Sequence, residues 1–135
     1  MKRVALVIAA VAVLASTACG SSKPSAPPRP VTNAQLKILS PTPNQVTGTT
    51  LHLQFELEGA TVVSQTVTKP PLPSDKGHIH VSVDGQLVSM QYGLSQDLNN
   101  LTPGPHSLQA EFVAEDHLPF RDRQHVIAAV LFTVQ

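Results

Sequence analysis

A regular alternation of apolar and polar residues constrains the fold of this chain more than any other feature. In the segment LHLQFELE, residues 51–58, the apolar side chains fall on one face of an extended strand and the polar ones on the other. This period of two is typical of a strand with one buried face, and no stretch of the chain shows a convincing helical period. The sequence therefore predicts an all-β protein.

Other short runs of the same kind are separated by proline, glycine and asparagine. The segment IHVSV, residues 79–83, is a second strand and ends at an Asp-Gly pair, which is a strong hairpin signal. Alternation returns over residues 108–113, and residues 125–134 form a longer, poorly alternating apolar strand that we expect to be central in a sheet or covered on both faces. Six or seven such strands predict one β-sandwich domain, over residues 33–135.

A targeting signal precedes the predicted domain. Three residues with two positive charges are followed by an uncharged apolar run of 11 residues, 4–14, whereas a transmembrane helix needs about 20. Small residues then lead to Cys19, the single cysteine of the chain, in a pattern that resembles a bacterial lipobox. We predict a lipoprotein signal peptide over residues 1–18 and lipidation of Cys19. A plain signal-peptidase site or a buried thiol is the alternative.

The residues after Cys19 have the composition of a tether. GSSKPSAPPRP, residues 20–30, contains four prolines and three serines and has no apolar periodicity. We therefore assign residues 19–32 to a disordered, hydrated tether. The anchor and the tether together predict an extracytoplasmic domain in the cell envelope, on the outer face of a bacterial cytoplasmic membrane. We expect this domain to be monomeric.

The charge distribution disfavours nucleic acid as a partner. From residue 31 onward there are five Lys or Arg and nine Asp or Glu residues, so the domain carries a net charge of about −4. Binding to phosphate backbones needs a basic surface instead. The chain also has no tryptophan and one tyrosine, which leaves few aromatic platforms for stacking on bases.

Three segments of the chain resemble known bacterial proteins. ILSP at residues 38–41, HIHVSVDG at 78–85 and LTPGPHSLQAEF at 101–112 look like the immunoglobulin-like modules of bacterial surface proteins and lipoproteins. More narrowly, GHIHVSVDG followed by LTPGPHSLQAEFVAEDHLPF is similar to an uncharacterised group of actinobacterial lipoproteins, over most of residues 31–135. The resemblance implies an all-β, immunoglobulin-like β-sandwich of about seven strands and no particular activity.

His78 and His80 form the most informative pair of residues in the sequence. Residues two apart on a strand share a face, so both imidazoles should lie opposite the apolar side chains of residues 79–83, exposed to solvent. Two imidazoles so placed can bind one metal ion with a third ligand, for which His117 is the natural candidate and Asp116 or His125 is possible. Imidazole ligands without thiolate suit copper or zinc. Exposed surface histidines, hydrogen bonding within the sheet and contact with a partner are the alternatives.

A long loop before His78 suggests a second kind of site. SQTVTKPPLPSDKG, residues 64–77, is stiffened by three prolines, and long ordered loops often bind partners. We expect it to lie beside residues 115–123 and to bind an envelope component or a protein. The candidate partner-binding residues are Lys69, Lys76, Asp116, Phe120 and Arg121.

The remaining histidines and serines indicate structure rather than catalysis. His106 should point inward at a corner and hydrogen-bond backbone, in place of the tyrosine found at many immunoglobulin-like corners, and His52 should be solvated. The serines on strands have no nucleophile motif around them, so we expect no enzyme. The first hypothesis is a non-catalytic, lipid-anchored binding module, and the second is a copper- or zinc-binding lipoprotein. An architectural spacer is a weaker third, and no other cofactor is expected.

Overall fold

A computed structural model describes residues 26–64 and 70–135, which form two β-sheets packed face to face. The predicted signal peptide, Cys19 and Lys69 lie outside these described residues. Within them, we find no helix with the length and apolar character needed to cross a membrane. The strands are β1 (Gln35–Ser40), β2 (Gln45–Thr47), β3 (Leu51–Glu58), β4 (Thr61–Val62), β5 (Lys76–Val83), β6 (Gln86–Gln91), β7 (Ser95–Leu98), β8 (Gly104–Ala114) and β9 (Ile127–Val134).

The strand order is that of an immunoglobulin-like sandwich, which confirms the predicted fold class. One sheet has the order β1-β3-β7, and the other has the order β2-β9-β8-β5, with β4 and β6 both paired to the far edge of β5. Strands β1, β3 and β7 correspond to strands A, B and E of an immunoglobulin domain. Strands β2, β9, β8, β5 and β6 correspond to A′, G, F, C and C′. The pairs β2–β9 and β4–β5 are parallel, and the other strand pairs within the described residues are antiparallel.

The core lies between the two sheets and follows the predicted alternation. On β3, Leu51, Leu53 and Phe55 are at most 3% exposed, and the polar residues between them face outward. The facing sheet contributes Ile79 and Phe112, both fully buried. Burying a side chain of this size contributes about 1.5–3 kcal/mol, so packing between the sheets can hold the fold together without a disulfide.

The last strand differs from the prediction. Residues 125–134 were expected to be covered on both faces, but Leu131 is 62% exposed and Ala129 is also exposed. Phe132 and Val134 face the core, whereas the outer face of β9 carries apolar side chains that the described residues leave uncovered. The strand is central in its sheet, between β2 and β8, as predicted, but its outer face is not covered, and the poor alternation reflects this apolar outer surface.

His106 points inward at the corner and bonds the backbone, as predicted. Its Nε2 donates to the Thr102 carbonyl at 2.7 Å, its Nδ1 lies 2.7 Å from an Asp84 carboxylate oxygen, and its ring stacks on Phe132. Both nitrogens face oxygens, so only the imidazolium can donate at both. Asp84, and then the Thr102 carbonyl, raise the pKa of His106. The charged pair therefore stabilises the corner below the ordinary histidine pKa of about 6.5, and this contribution is lost as pH rises through the raised value.

Candidate metal centre

Strand β5 places His78 and His80 on the outer face of the larger sheet, opposite Ile79 and Val81, as the alternation predicted. Their exposure was predicted wrongly. His78 is 0% exposed and His80 is half-buried. The ring of Tyr92 lies with its centroid 5.1 Å from that of His78 and covers it from one side. The outer face of a strand is exposed only where no other segment of the chain folds over it. Alternation shows which residues share a face, and it does not show whether another segment covers that face.

A tight turn after β8 covers His78 from another side and places His117 next to it. The backbone N–H of His117 donates to the carbonyl of Ala114 at 3.0 Å, and the N–H of Ala114 donates to the carbonyl of Leu118 at 3.1 Å. His117 has a left-handed backbone with φ of 64°, a region in which histidine is enriched among the non-glycine residues. The chain therefore folds back over β8, and the His117 ring reaches His78, with ring centroids 4.4 Å apart.

Three imidazole nitrogens converge in this place. Nε2 of His78 lies 2.8 Å from Nδ1 of His117 and 3.1 Å from Nε2 of His80, and the third distance is 3.5 Å. Three atoms so spaced lie on a circle of about 1.8 Å radius, so a point about 2.0 Å from all of them lies just outside their plane. Zinc–imidazole bonds are about 2.0–2.1 Å long, so the arrangement fits a metal ion.

Hydrogen bonding between the rings cannot satisfy all three nitrogens. Each neutral ring nitrogen carries either one hydrogen or one lone pair, so among three atoms at least two must be alike. Two nitrogens of the same kind, both donors or both acceptors, then face one another and repel. The longest of the three distances, between His80 and His117, is where such a pair is best tolerated. A cation bound to three lone pairs removes this conflict.

Burial keeps two of the three imidazoles neutral. Burial, and then the neighbouring rings of His117 and His80, lower the pKa of His78 to about 4. Burial and His117 also lower the pKa of His80, although Glu111 acts in the opposite direction. Because a metal ligand must be deprotonated, these rings offer their lone pairs at neutral pH with little competition from protons.

The alternative ligands Asp116 and His125 are not brought to this point. Among the described residues, the nitrogens of His78, His80 and His117 form the group that could hold a metal ion. The Asp116 carboxylate instead accepts hydrogen bonds from the Arg29 guanidinium, which lowers the pKa of Asp116. His125 is exposed, just before β9.

Arg29 is a residue that sequence analysis assigned to the tether. In the structure its guanidinium also donates to the carbonyls of Leu118 and Pro119, each at 2.9 Å, and the neighbouring Pro30 carbonyl accepts from the Arg121 N–H. The end of the segment predicted to be a hydrated tether thus contacts the domain beside the histidines. The local sequence holds no signal for this contact, because its partners are 87–90 residues away.

Sequence analysis also did not identify two neighbours of His80 on the outer face, Met90 and Glu111. The register of β5 places Met90 of β6 and Glu111 of β8 directly opposite His80, one on each side. Residues directly opposite in antiparallel strands share a face, so all three side chains lie together. Arg123 binds the Glu111 carboxylate at both oxygens, at 2.8 and 2.7 Å. Glu111 is therefore engaged by a guanidinium, much as Asp116 is.

The predicted partner-binding residues lie in different environments. Lys76 and Arg121 are exposed, whereas Phe120 is 2% exposed and stacks on Phe112 with ring centroids 5.4 Å apart. The expectation that Phe120 contacts a partner is therefore corrected, because its ring is part of the core. An open cleft of about 500 Å³ lies at this end of the domain. Its lining residues are Pro27, Pro28, Arg29, Pro30, Pro70, Pro71, Leu72 and Asp116.

His52 lies apart from the three converging histidines, on β3 of the other sheet. Its side chain is 62% exposed, which confirms the prediction that it is solvated, and its Nδ1 lies 2.6 Å from an Asp97 carboxylate oxygen. The exposed ion pair contributes little to stability. His52 therefore provides a matched control for substitutions at the candidate metal centre.

No protein family and no curated protein matches this chain. Among solved structures, the chain is similar to the fibronectin(III)-like modules of Clostridium thermocellum CbhA. The identity is 13% and the TM-score is 0.49, with 75% of this chain and 97% of that chain covered. The assignment to the immunoglobulin-like sandwiches rests on the strand order and the packing of the two sheets described above.

Proposed function

We propose that this protein is a non-catalytic binding module of the bacterial cell envelope that holds one copper or zinc ion through His78, His80 and His117. A lipid on Cys19 attaches it to the outer face of the cytoplasmic membrane. The observation that carries the proposal is the convergence of three imidazole nitrogens within 2.8–3.5 Å of one another. Of the two hypotheses that the sequence suggested, the geometry favours metal binding.

The chemistry of the donors supports copper(II) or zinc(II). Three neutral imidazoles without a thiolate suit both ions, and for a given site of this kind affinity is higher for copper(II) than for zinc(II). Three protein ligands leave a fourth position for water or for a group from outside. The rings of Tyr92 and His117 both pack against His78, the most buried of the three proposed ligands.

The charges around the site support a binding role over hydrolysis. A metal-bound water becomes a catalyst when a free carboxylate or another base can move its proton. Glu111, opposite His80 in the sheet register, and Asp116, next to His117 in the chain, are each held by a guanidinium, from Arg123 and Arg29. Neither is free to act as a base in this arrangement.

Partner binding at the loop end is the less well supported function. Two of the residues predicted to bind a partner already interact within the chain: Phe120 is buried in the core, and Asp116 is bound to Arg29. The cleft beside Asp116 and the exposed Lys76 and Arg121 still favour some contact at this end. Metal binding is the better supported of the two because all three of its ligands are in place.

Titration of the purified full-length protein in detergent tests the metal site. With Zn(II), and separately with Cu(II), calorimetry is expected to give one site of micromolar or tighter affinity. His80→Ala and His117→Ala should each weaken binding about 100-fold or more, because each removes a ligand. His52→Ala should bind like the wild type. Since every variant keeps Cys19 and the N-terminal amine, those groups cannot cause a difference between them.

Two results of this titration would contradict the proposal. One is the absence of heat from wild-type protein at millimolar metal. The other is equal affinity in wild type, His80→Ala and His117→Ala, which would place any bound ion elsewhere in the chain. Circular dichroism of each variant without metal shows whether a loss of affinity comes from a loss of fold.

The lipid anchor rests on the sequence around Cys19 and has a separate test. Growth of the producing bacterium with a fatty-acid analogue is expected to label the wild-type protein and to leave Cys19→Ala unlabelled. Ser16→Ala serves as the control, because it alters the same segment and keeps the thiol. Label that persists in Cys19→Ala would show that the lipid is attached at another residue.

A further inference from the structure

The Arg29 guanidinium binds the turn that carries His117 at several points. It donates to both carboxylate oxygens of Asp116, with the longer contact at 2.9 Å, and to the carbonyls of Leu118 and Pro119, each at 2.9 Å. A forked pair between a guanidinium and a carboxylate is geometrically specific. The two charged side chains are 28% and 27% exposed, so the contact is partly shielded from solvent.

These contacts fix both neighbours of His117 along the chain. Asp116 is held through its side chain and Leu118 through its carbonyl, and the Asp116 carboxylate also accepts a hydrogen bond from the Leu118 N–H at 3.2 Å. His117 itself has a left-handed backbone with φ of 64°. Such a conformation costs free energy and persists where the surrounding structure imposes it.

The other two ligands do not depend on this turn. His78 and His80 lie on β5, where β8 pairs with the whole stretch Gly77–Val83 and β6 pairs with it from Ile79 onward. Their positions are therefore set by the sheet. Of the three nitrogens that would hold the metal, the one from His117 is the one whose position depends on Arg29.

We infer that Arg29 is a positioning residue of the metal centre, and that docking of residues 26–30 onto the domain is linked to metal binding. The inference rests on the proposed metal-binding function. Arg29 touches no imidazole and acts through Asp116 and the two carbonyls. Because linkage is reciprocal, a metal ion that fixes His117 strengthens the docking of this segment by the same factor by which docking strengthens metal binding.

Zinc affinity measured on the full-length protein tests the positioning role. Arg29→Gln is expected to bind Zn(II) about tenfold more weakly than the wild type, at the lower end of the roughly 10- to 100-fold loss seen for residues that orient metal ligands from outside. Arg121→Gln removes the same charge from the neighbouring loop, and its side chain forms no ion pair within residues 26–64 and 70–135. It should stay within twofold of the wild type.

A double-mutant cycle shows whether Arg29 acts through Asp116. Asp116→Asn should weaken zinc binding about as much as Arg29→Gln, and the double variant should be no weaker than either. Arg29→Lys keeps the charge without the fork and should lie between wild type and Arg29→Gln. Should Arg29→Gln prove unfolded without metal, Arg29→Lys and Asp116→Asn supply the same comparison.

Hydrogen exchange gives a readout that a purely structural role would not change. Exchange in peptides that cover residues 26–33 is expected to slow when Zn(II) is added to the wild type, and to stay unchanged on adding Zn(II) to His117→Ala. If the wild type binds no zinc, both the proposed function and this inference are overturned. If it binds zinc and Arg29→Gln matches Arg121→Gln in affinity, the linkage alone is overturned.

Discussion

Alanine at Gly77 is expected to destabilise the protein by about 3 kcal/mol or more and to abolish metal binding. A Cβ at this position would lie 1.9 Å from the carbonyl oxygen of Val113 and 3.1 Å from the ring of Phe112. The obstacle is backbone, and it cannot move aside while Gly77 stays paired with Ala114 on β8. Relief of the clash must separate β5 from β8 one residue before His78, at the end where His117 returns.

Gly48→Ala is the matched control for this experiment. A Cβ at Gly48 meets no atom within 4 Å, and this glycine lies outside the strands. Its replacement should change the free energy of unfolding by less than about 0.5 kcal/mol. Urea denaturation of both variants with a metal chelator present gives the two values. Equal stability of Gly77→Ala and Gly48→Ala would mean that β5 and β8 are not as close as described.

Leucine at His78 is expected to stabilise the metal-free protein by about 1–2 kcal/mol and to weaken zinc binding more than 100-fold. His78 is 0% exposed, and its Nδ1 has no hydrogen-bond partner within the described residues. Its Nε2 is crowded by two further nitrogens, and Val113, fully buried, lies opposite it on β8. An apolar side chain suits this environment better than an imidazole does, unless a cation is bound.

His106→Leu is the contrasting variant, because both ring nitrogens of this partly buried histidine are engaged. It should lower the free energy of unfolding, by more at pH 5.5 than at pH 8.5, since the raised pKa of His106 makes its ionic contribution disappear as pH rises. Urea denaturation at both pH values measures each variant in the presence of chelator. A loss of more than about 1 kcal/mol in His78→Leu would identify His78 as a structural residue instead.

The fold was predictable because it depends on the backbone geometry of strands. Alternation with a period of two appears in the residues of β3 and β5 themselves, and an Asp-Gly pair marks the hairpin between β5 and β6. The described residues form nine strands, two more than the predicted number of about seven. The two short strands β2 and β4, of three and two residues, are too brief to show a period.

The candidate site was predictable only in part. The shared face of His78 and His80 follows from their spacing, and His117 was the natural third ligand because it follows the strand that pairs with β5. Their burial depends on a left-handed turn and on Tyr92, which no periodic pattern reports. Phe120 was misread for the same reason, because a single aromatic in a polar loop shows no period.

Arg29 was out of reach of sequence analysis for a different reason. Its surroundings have the proline and serine content of a solvated tether, and its partner Asp116 is 87 residues away. The strength of a long-range pair depends on geometry that only the folded chain supplies. From the sequence alone, an arginine at the end of such a segment that binds the domain cannot be told from one that remains solvated.

Under the proposed anchor at Cys19, the contact between Arg29 and Asp116 would limit the distance between the three histidines and the membrane. Arg29 is the tenth residue after Cys19, and a chain of that length reaches at most about 35 Å when fully extended. If a lipid on Cys19 anchors the protein as proposed above, this reach keeps Arg29, and with it the turn that carries His117, close to the membrane surface.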